Sequence, residues 1–269
     1  MTAAEEPWIE GVEVAARDLS ARGPRGPVWE GVSLRVPAGG LSVAHGPSGS
    51  GRTSLLLALA GRLRVAAGTV QVGGHAVPRA AGRVRRLVAV ARAAPAVFLE
   101  PRLRVRELAA ERRWLAPGAD RAAVRRAMDV VGFDAPDDTL VADLDPVASL
   151  ALALALALAE SPRALVVDDV DSGCPPDQRA AAWQAVRQAN AAGCTVLSAA
   201  LAPPDGPEPP YTALALPRLS ADALTGTGAA GAGRRTAADG RSGGATDTDG
   251  PDDRAGDPDP APTTRKAAP

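Results

Sequence analysis

Residues 46–54 read GPSGSGRTS and separate a short apolar run, LSVAH, from a run of strong helix formers, SLLLALAG. This order predicts a strand, a glycine-rich loop and a helix. Glycines let backbone N–H groups turn towards phosphate oxygens, the N-terminus of the next helix adds its positive dipole end, and a Thr hydroxyl can ligate Mg²⁺. The pattern therefore predicts a phosphate-binding loop formed by Gly46, Ser48, Gly49, Ser50, Gly51, Arg52, Thr53 and Ser54.

Arg52 stands where the phosphate-loop pattern has a lysine between its last glycine and the Ser or Thr. Lys266 is the only lysine among the 30 Lys and Arg residues of the chain, so the composition favours arginine wherever arginine is tolerated. Arginine keeps the positive charge but carries it on a planar fork that is wider than an ammonium group. The substitution therefore changes the shape of the cation that faces the phosphates.

A second motif, ALVVDDV at residues 164–170, places Asp168 after four apolar residues. A P-loop ATPase needs an acidic residue at the end of a buried neighbouring strand to hold magnesium. We therefore predict Thr53 and Asp168 as the metal ligands. A bare Gly/Ser-rich turn is the alternative interpretation of the loop, and the acidic strand end makes it less favoured.

Strand-like and helix-like runs alternate along the chain. Residues 11–45 predict two or three strands, partly antiparallel and closed by a tight PAGG turn, and GTVQVGGHAV predicts a hairpin. From about Val84 the pattern becomes mixed and then helical. The strand RALVVDDV, a helix and the strand CTVLSAAL follow. This alternation predicts an α/β fold with a parallel sheet, in which ligands bind at the carboxyl ends of the strands.

The repeat LALALALALA at residues 150–159 alternates as a strand would. Leu and Ala are strong helix formers, however, and the run contains no β-branched residue. A helix with this sequence is apolar on all sides, which predicts a buried helix. The apolar stretch ends at Glu160, short of the about 20 residues that a membrane span needs.

Composition and the sequences near the two ends of the chain bear on its binding partners, its compartment and its order. The net charge of −1 gives no electrostatic basis for binding nucleic acid. The two cysteines have no paired or metal-ligand spacing, and the first residues lack a secretion signal, which favours a reduced cytosolic compartment. Residues 225–269 contain no Leu, Ile, Val, Met or aromatic residue, so we predict a disordered tail over 219–269.

Three segments resemble the ATP-binding cassette proteins that power ABC transporters: GVSLRVPAGGLSVAHGPSGSGRTSLLLALAG, SPRALVVDDVDSG and GCTVLSAAL, in that family's order and spacing. The resemblance spans roughly residues 12–201. It implies a P-loop NTPase fold with a RecA-like parallel sheet core, an N-terminal antiparallel part and an inserted helical subdomain. The implied organisation is a lead at 1–10, an ATP-binding domain at 11–218 and a helical subdomain at about 95–160.

Several family motifs are altered at the matching positions. The Leu-Ser-Gly-Gly-Gln signature corresponds to LDPVA at 144–148, and the general base of the family, a glutamate, corresponds to Asp169, whose side chain is one methylene shorter. The switch histidine corresponds to Leu201, and the Q-loop glutamine to Arg92 or Ala93. These changes imply weak or lost hydrolysis, with Asp169 as the remaining candidate base.

The adenine-stacking aromatic of the family should lie near Gly23, where this chain has none. Trp29 lies close to the apolar strand VWEGVSL, which favours a core position for its indole.

The resemblance implies an ATP-binding transporter subunit that uses ATP and Mg²⁺. Its expected partners are a separately encoded membrane subunit and a second ATP-binding subunit, in a homodimer or heterodimer at the inner face of the membrane. Two alternatives remain open at this point. One is a non-catalytic regulatory or scaffold module on the same fold. The other is an unrelated P-loop kinase or GTPase, which explains the loop but neither the antiparallel lead-in nor DDVDSG.

Overall fold

The computed structural model describes residues 7–24, 26–116, 118–204 and 210–217. The predicted disordered tail at 219–269 lies outside the described residues. The described residues form, in chain order, β1 (Val14–Gly23), β2 (Gly26–Val36), β3 (Leu41–His45), α1 (Arg52–Leu59), β4 (Ala67–Val72), β5 (His75–Val77), α2 (Ala81–Leu87), β6 (Val88–Arg92), α3 (Val105–Leu115), α4 (Arg121–Val130), α5 (Pro146–Leu158), β7 (Ala164–Val167), α6 (Arg179–Ala191), β8 (Thr195–Ala200) and β9 (Tyr211–Ala215).

A parallel sheet with the strand order β6-β7-β8-β3-β9 forms the centre of the fold. Strands β7 and β8 are buried along their whole length, as expected for short apolar runs that are covered on both faces. Because all five strands are parallel, their carboxyl ends lie at one edge of the sheet. The glycine-rich loop follows β3, and Asp168 follows β7, at this edge.

An antiparallel sheet with the strand order β2-β1-β4-β5 accompanies the parallel sheet. Val14 of β1 lies opposite Val36 on one side and Val72 on the other, so the buried residues of neighbouring strands share a face. The predicted hairpin is confirmed as β4 and β5. In the predicted PAGG turn, the Gly40 N–H donates to the carbonyl of Pro37 at 2.9 Å. The mixed fold predicted from the sequence, an antiparallel part joined to a parallel sheet, is confirmed.

Helix α5 contains the Leu/Ala repeat, and the helical prediction for this run is confirmed. Each residue from Leu150 to Ala159 is at most 3% exposed, because α5 packs against α4, α6 and the parallel sheet. A helix with leucines 200° apart has no polar face and needs such neighbours on every side. In the part of the chain that the structure describes, no helix is long and apolar enough to cross a membrane.

The sequence did not identify α2, β6 or β9 as separate elements. The stretch from Val84 was expected to be mixed and then helical, and its mixed part contains the end of α2 and the edge strand β6. The apolar run LVAVA between Arg86 and Arg92 has only five residues, which makes the strand signal short. Strand β9 was also missed, because its five residues pair with β3, which lies far away along the chain.

Candidate phosphate-binding site

The loop between β3 and α1 has the backbone shape that its glycines permit. Gly46, Gly49 and Gly51 have φ values of 156°, 82° and 87°, which side-chain-bearing residues rarely adopt. Gly51 is the N-cap of α1, and among the described residues no side chain caps the N–H groups of its first turn. The first N–H groups of α1 are therefore free to bind an anion. Ser48 is exposed at the loop tip, and Ser54 is half-buried in the first turn of α1.

Trp29 supports this loop from β2. Its indole is 3% exposed, and its Nε1–H donates to the Gly51 carbonyl at 3.2 Å. A Cβ atom added to Gly51 would lie 2.3 Å from Val28 Cγ1 and 2.7 Å from Trp29 Cδ1. The core position predicted for Trp29 is confirmed, and the sequence did not reveal its contact with the loop.

Thr53 and Asp168 lie in contact although 115 residues separate them. The Thr53 hydroxyl donates to Oδ2 of Asp168, and Oδ1 of the same carboxylate accepts the Asp169 N–H at 2.9 Å. Asp168 is 2% exposed, and this burial raises the pKa of its carboxyl group, although the hydrogen bond from Thr53 acts in the opposite direction.

A hydroxyl oxygen beside a carboxylate is a donor set that fits Mg²⁺. Among the described residues there is no cluster of three or more His, Cys, Asp or Glu side chains that could hold a metal by itself. Mg²⁺ at Thr53 and Asp168 would therefore take its other ligands from water and phosphate oxygens, as this ion commonly does.

Arg52 lies inside the loop and is 8% exposed. One terminal nitrogen of its guanidinium donates to the Gly46 carbonyl, and the other donates to Oδ1 of Asp169 at 2.6 Å. Within the described residues, Arg52 Nε and Ser50 Oγ are buried and have no hydrogen-bond partner. Two unsatisfied polar atoms in a glycine-rich loop fit a polar ligand that completes their hydrogen bonds.

Arg92, at the end of β6, braces the turn that carries both aspartates. Its Nε donates to the Asp168 carbonyl at 3.1 Å, and a terminal nitrogen donates to the Asp169 carbonyl. Asp169 itself has φ 46°, a conformation that needs such support in a residue other than glycine. Burial lowers the pKa of Arg92, with the Asp169 charge opposing the shift. Of the two residues considered for the Q-loop position, Arg92 reaches the site and Ala93 is fully buried.

The remaining motif positions are organised differently. Asp145 caps α5, because its Oδ1 accepts the Ala148 N–H at 2.8 Å, and Pro146 occupies the first turn. Residues 144–148, which correspond to the signature, thus form a helix start closed by its own carboxylate. Leu201, which corresponds to the switch histidine, directly follows β8 and is 57% exposed.

The family model of the ABC transporter matches residues 29–172 of the chain. The chain is 32% identical over 174 residues to the Nod factor export ATP-binding protein I of Burkholderia lata, a match over 63% of this chain and 56% of the relative. The chain thus spans about half the length of the curated relatives it matches first. A probable anion import ATP-binding protein of Haloferax volcanii is 33% identical over 72% of this chain and 75% of its own length.

Solved structures show the same fold. A putative ABC transporter ATP-binding protein from Pyrococcus furiosus aligns with a TM-score of 0.63 and 17% identity, over 76% of this chain and 97% of its own. This family match excludes the unrelated kinase or GTPase. The matched model, the relatives and the fold all agree, and the chain belongs to the family of ABC transporter ATP-binding proteins.

Proposed function

We propose that this ATP-binding component of an ABC transporter binds Mg-ATP through the loop at residues 46–54. The observation that carries the proposal is the contact between the Thr53 hydroxyl and the Asp168 carboxylate at the uncapped N-terminus of α1. The loop N–H groups and Arg52 would hold the phosphates, and Thr53 and Asp168 would hold Mg²⁺. Bound Mg²⁺ would neutralise phosphate charge beside Asp168.

Thermal unfolding with and without nucleotide tests this proposal. Millimolar Mg-ATP should raise the melting temperature of the wild-type chain, because a ligand that binds only the folded state stabilises it. Thr53→Ala should weaken Mg-ATP binding about tenfold and leave Mg-free ATP binding nearly unchanged. Thr53→Ser keeps the hydroxyl and serves as the matched control. Absence of any shift in the wild type would rule out nucleotide binding.

We further propose that hydrolysis is slow or absent. Asp169 stands at the position of the general base, but its side chain is one methylene shorter than that of glutamate, and a misplacement of about 1 Å can slow a reaction by about 10²-fold. Leu201 cannot donate or accept a proton where the family has a histidine. Loss of a general acid or base typically slows a reaction by about 10²–10⁴-fold.

Phosphate release by the purified chain, alone and with its membrane partner, measures this property. We expect turnover at least about 10²-fold below that of an intact family member measured in parallel. Robust turnover that Asp169→Asn abolishes would contradict this part of the proposal. Binding without turnover in the presence of the partner would instead favour the regulatory or scaffold alternative.

The third part of the proposal concerns partners. We propose a separately encoded membrane subunit, a position at the inner face of the membrane, and a head-to-tail dimer with a second ATP-binding subunit. A surface groove of 570 Å³ supports a docking site, since exposed Leu115 and four arginines are among its described lining residues, beside Glu160, which pairs with Arg112. The residues of this chain that line the groove include Arg62, Arg85, Arg86, Val97, Arg112, Leu115 and Glu160.

Copurification with the membrane protein encoded beside this chain tests the groove. Leu115→Glu places a charge on the apolar lining and should weaken copurification at least fivefold. Trp114→Glu is the matched control, because Trp114 is 83% exposed on the same helix and does not line the groove. Equal losses in both variants would contradict docking at this groove.

A further inference from the structure

The cation that should face the phosphates is engaged within the protein. The Arg52 guanidinium connects the Gly46 carbonyl, just after β3, to the Asp169 carboxylate, just after β7. Strand β8 lies between β3 and β7 in the sheet, so the guanidinium bridges the edge where a phosphate would lie. Both terminal nitrogens of Arg52 are thereby committed to protein acceptors.

The shapes of both partners make this bridge possible. A lysine carries one compact ammonium group, whereas the planar fork of arginine presents two terminal nitrogens to two acceptors at fixed angles. The Asp169 carboxylate is 44% exposed, but its backbone is fixed by Arg92 and by the left-handed conformation of the residue. Because the Asp169 backbone is already held in place, pairing with Arg52 costs only the entropy of ordering a short side chain.

Resting on the proposed nucleotide binding, we infer that the Arg52–Asp169 ion pair closes the phosphate site and that a nucleotide must break it to bind. Asp169 then acts as the counter-ion of Arg52 and sets nucleotide affinity. The buried and unpaired Arg52 Nε and Ser50 Oγ are the atoms that gain partners when the phosphates replace the carboxylate.

A double-mutant cycle on Mg-ADP affinity tests this role. ADP removes hydrolysis from the measurement, and calorimetric titration gives the affinity directly. Asp169→Asn should raise affinity about tenfold, because it removes the acceptor that competes with phosphate for a charged donor. In an Arg52→Met background, which keeps the buried stem, the same change should raise affinity by less than about twofold.

The Arg52→Met background distinguishes the ion pair from simple charge repulsion as the cause of any gain in affinity. Repulsion between Asp169 and the phosphates predicts a gain in the Arg52→Met background at least as large as in the wild type, since no cation then offsets the carboxylate. Asp171→Asn removes a nearby negative charge that makes no described contact with Arg52, and it should change affinity by less than about twofold.

The outcomes are distinguishable. A gain of about tenfold in Mg-ADP affinity that occurs only when Arg52 is present supports the view that the Arg52–Asp169 ion pair closes the phosphate site. Equal gains in both backgrounds, or unchanged affinity in Asp169→Asn, overturn this inference and leave nucleotide binding intact. Absence of Mg-ADP and Mg-ATP binding in every variant overturns both this inference and the proposed nucleotide binding. Melting curves of each apo variant establish that the chains are folded before titration.

Discussion

The N-termini of α1 and α5 differ in whether their first backbone N–H groups have a side-chain partner. At α1, a glycine loop leads into the helix, and no side chain in the described part of the chain caps the first turn. At α5, Asp145 accepts the Ala148 N–H, and Pro146 has no N–H to offer. The first end leaves its N–H groups available to an anion, whereas the second is already satisfied by a fixed negative charge.

This difference shows how the site departs from the family pattern. The signature of the family corresponds to the α5 start, where a hydroxyl and glycine N–H groups would contact a nucleotide held by the partner. In this chain a carboxylate takes that place, and a carboxylate repels phosphate. The chain thus retains features of a phosphate site at α1 and lacks them at α5, which supports nucleotide binding without efficient turnover.

The largest predicted effect concerns the close packing under the α1 loop. Gly51→Ala should lower the free energy of unfolding by about 3 kcal/mol, because it adds left-handed strain to a clash with Val28 and Trp29. Gly74→Ala is the matched control, since Gly74 has φ 78° and open space around its Cβ position, and it should lose only about 1 kcal/mol. Urea unfolding measures both values. Equal losses would show that the loop does not depend on its contact with β2.

The sequence was sufficient to predict the parts of the molecule that depend on local pattern. Glycine spacing identified the α1 loop, and the apolar run before Asp168 identified β7, because each signal lies within about ten residues. The contact between Thr53 and Asp168 could also be expected, since both follow parallel strands of one sheet.

The contacts of the two arginines could not be predicted from the sequence. Arg52 and Asp169 are 117 residues apart, and their pairing depends on side-chain rotamers rather than on any periodicity. The brace formed by Arg92 depends in turn on β6, a strand whose short apolar run was missed. Motif position singled out Arg52 and Arg92 in the sequence, but it gave no indication of the partners that these two arginines bind.

The second prediction tests whether Arg52 blocks the phosphate site at the N-terminus of α1. Arg52→Lys should raise Mg-ADP affinity about fivefold, because an ammonium group cannot hold the Gly46 carbonyl and the Asp169 carboxylate in the same forked geometry. Calorimetric titration provides the measurement, and Arg62→Lys, outside the loop, is the control. Weaker binding in Arg52→Lys would mean that the guanidinium contributes to phosphate binding more than it opposes it.

The third prediction concerns the N-terminus of α5, which the Asp145 carboxylate caps. Asp145→Ala should lower the free energy of unfolding by about 1 kcal/mol, since it removes the cap of the helix, and Asp145→Ser should restore most of the loss. Asp120→Ala is a matched control for capping, because Asp120 accepts the Ala123 N–H of α4 at 2.8 Å. Thermal melting in the absence of nucleotide measures all three variants. No loss in Asp145→Ala, beside the expected loss in Asp120→Ala, would show that α5 does not need its carboxylate.

The smallest predicted effect is a pH dependence at Asp168, the buried carboxylate beside α1. Because burial raises its pKa in the folded state, the folded chain retains this proton to higher pH than the unfolded chain. The contribution of Asp168 to stability therefore falls as the pH rises from its unfolded pKa, about 3.9, through its higher folded pKa.

Asp168→Asn cannot ionise, so its stability relative to the wild type should increase with pH across this interval. The altered hydrogen bonds to Thr53 and to the Asp169 N–H add an offset that does not vary with pH, so the slope in urea unfolding isolates the ionisation. A constant difference between the two proteins would contradict the raised pKa of Asp168.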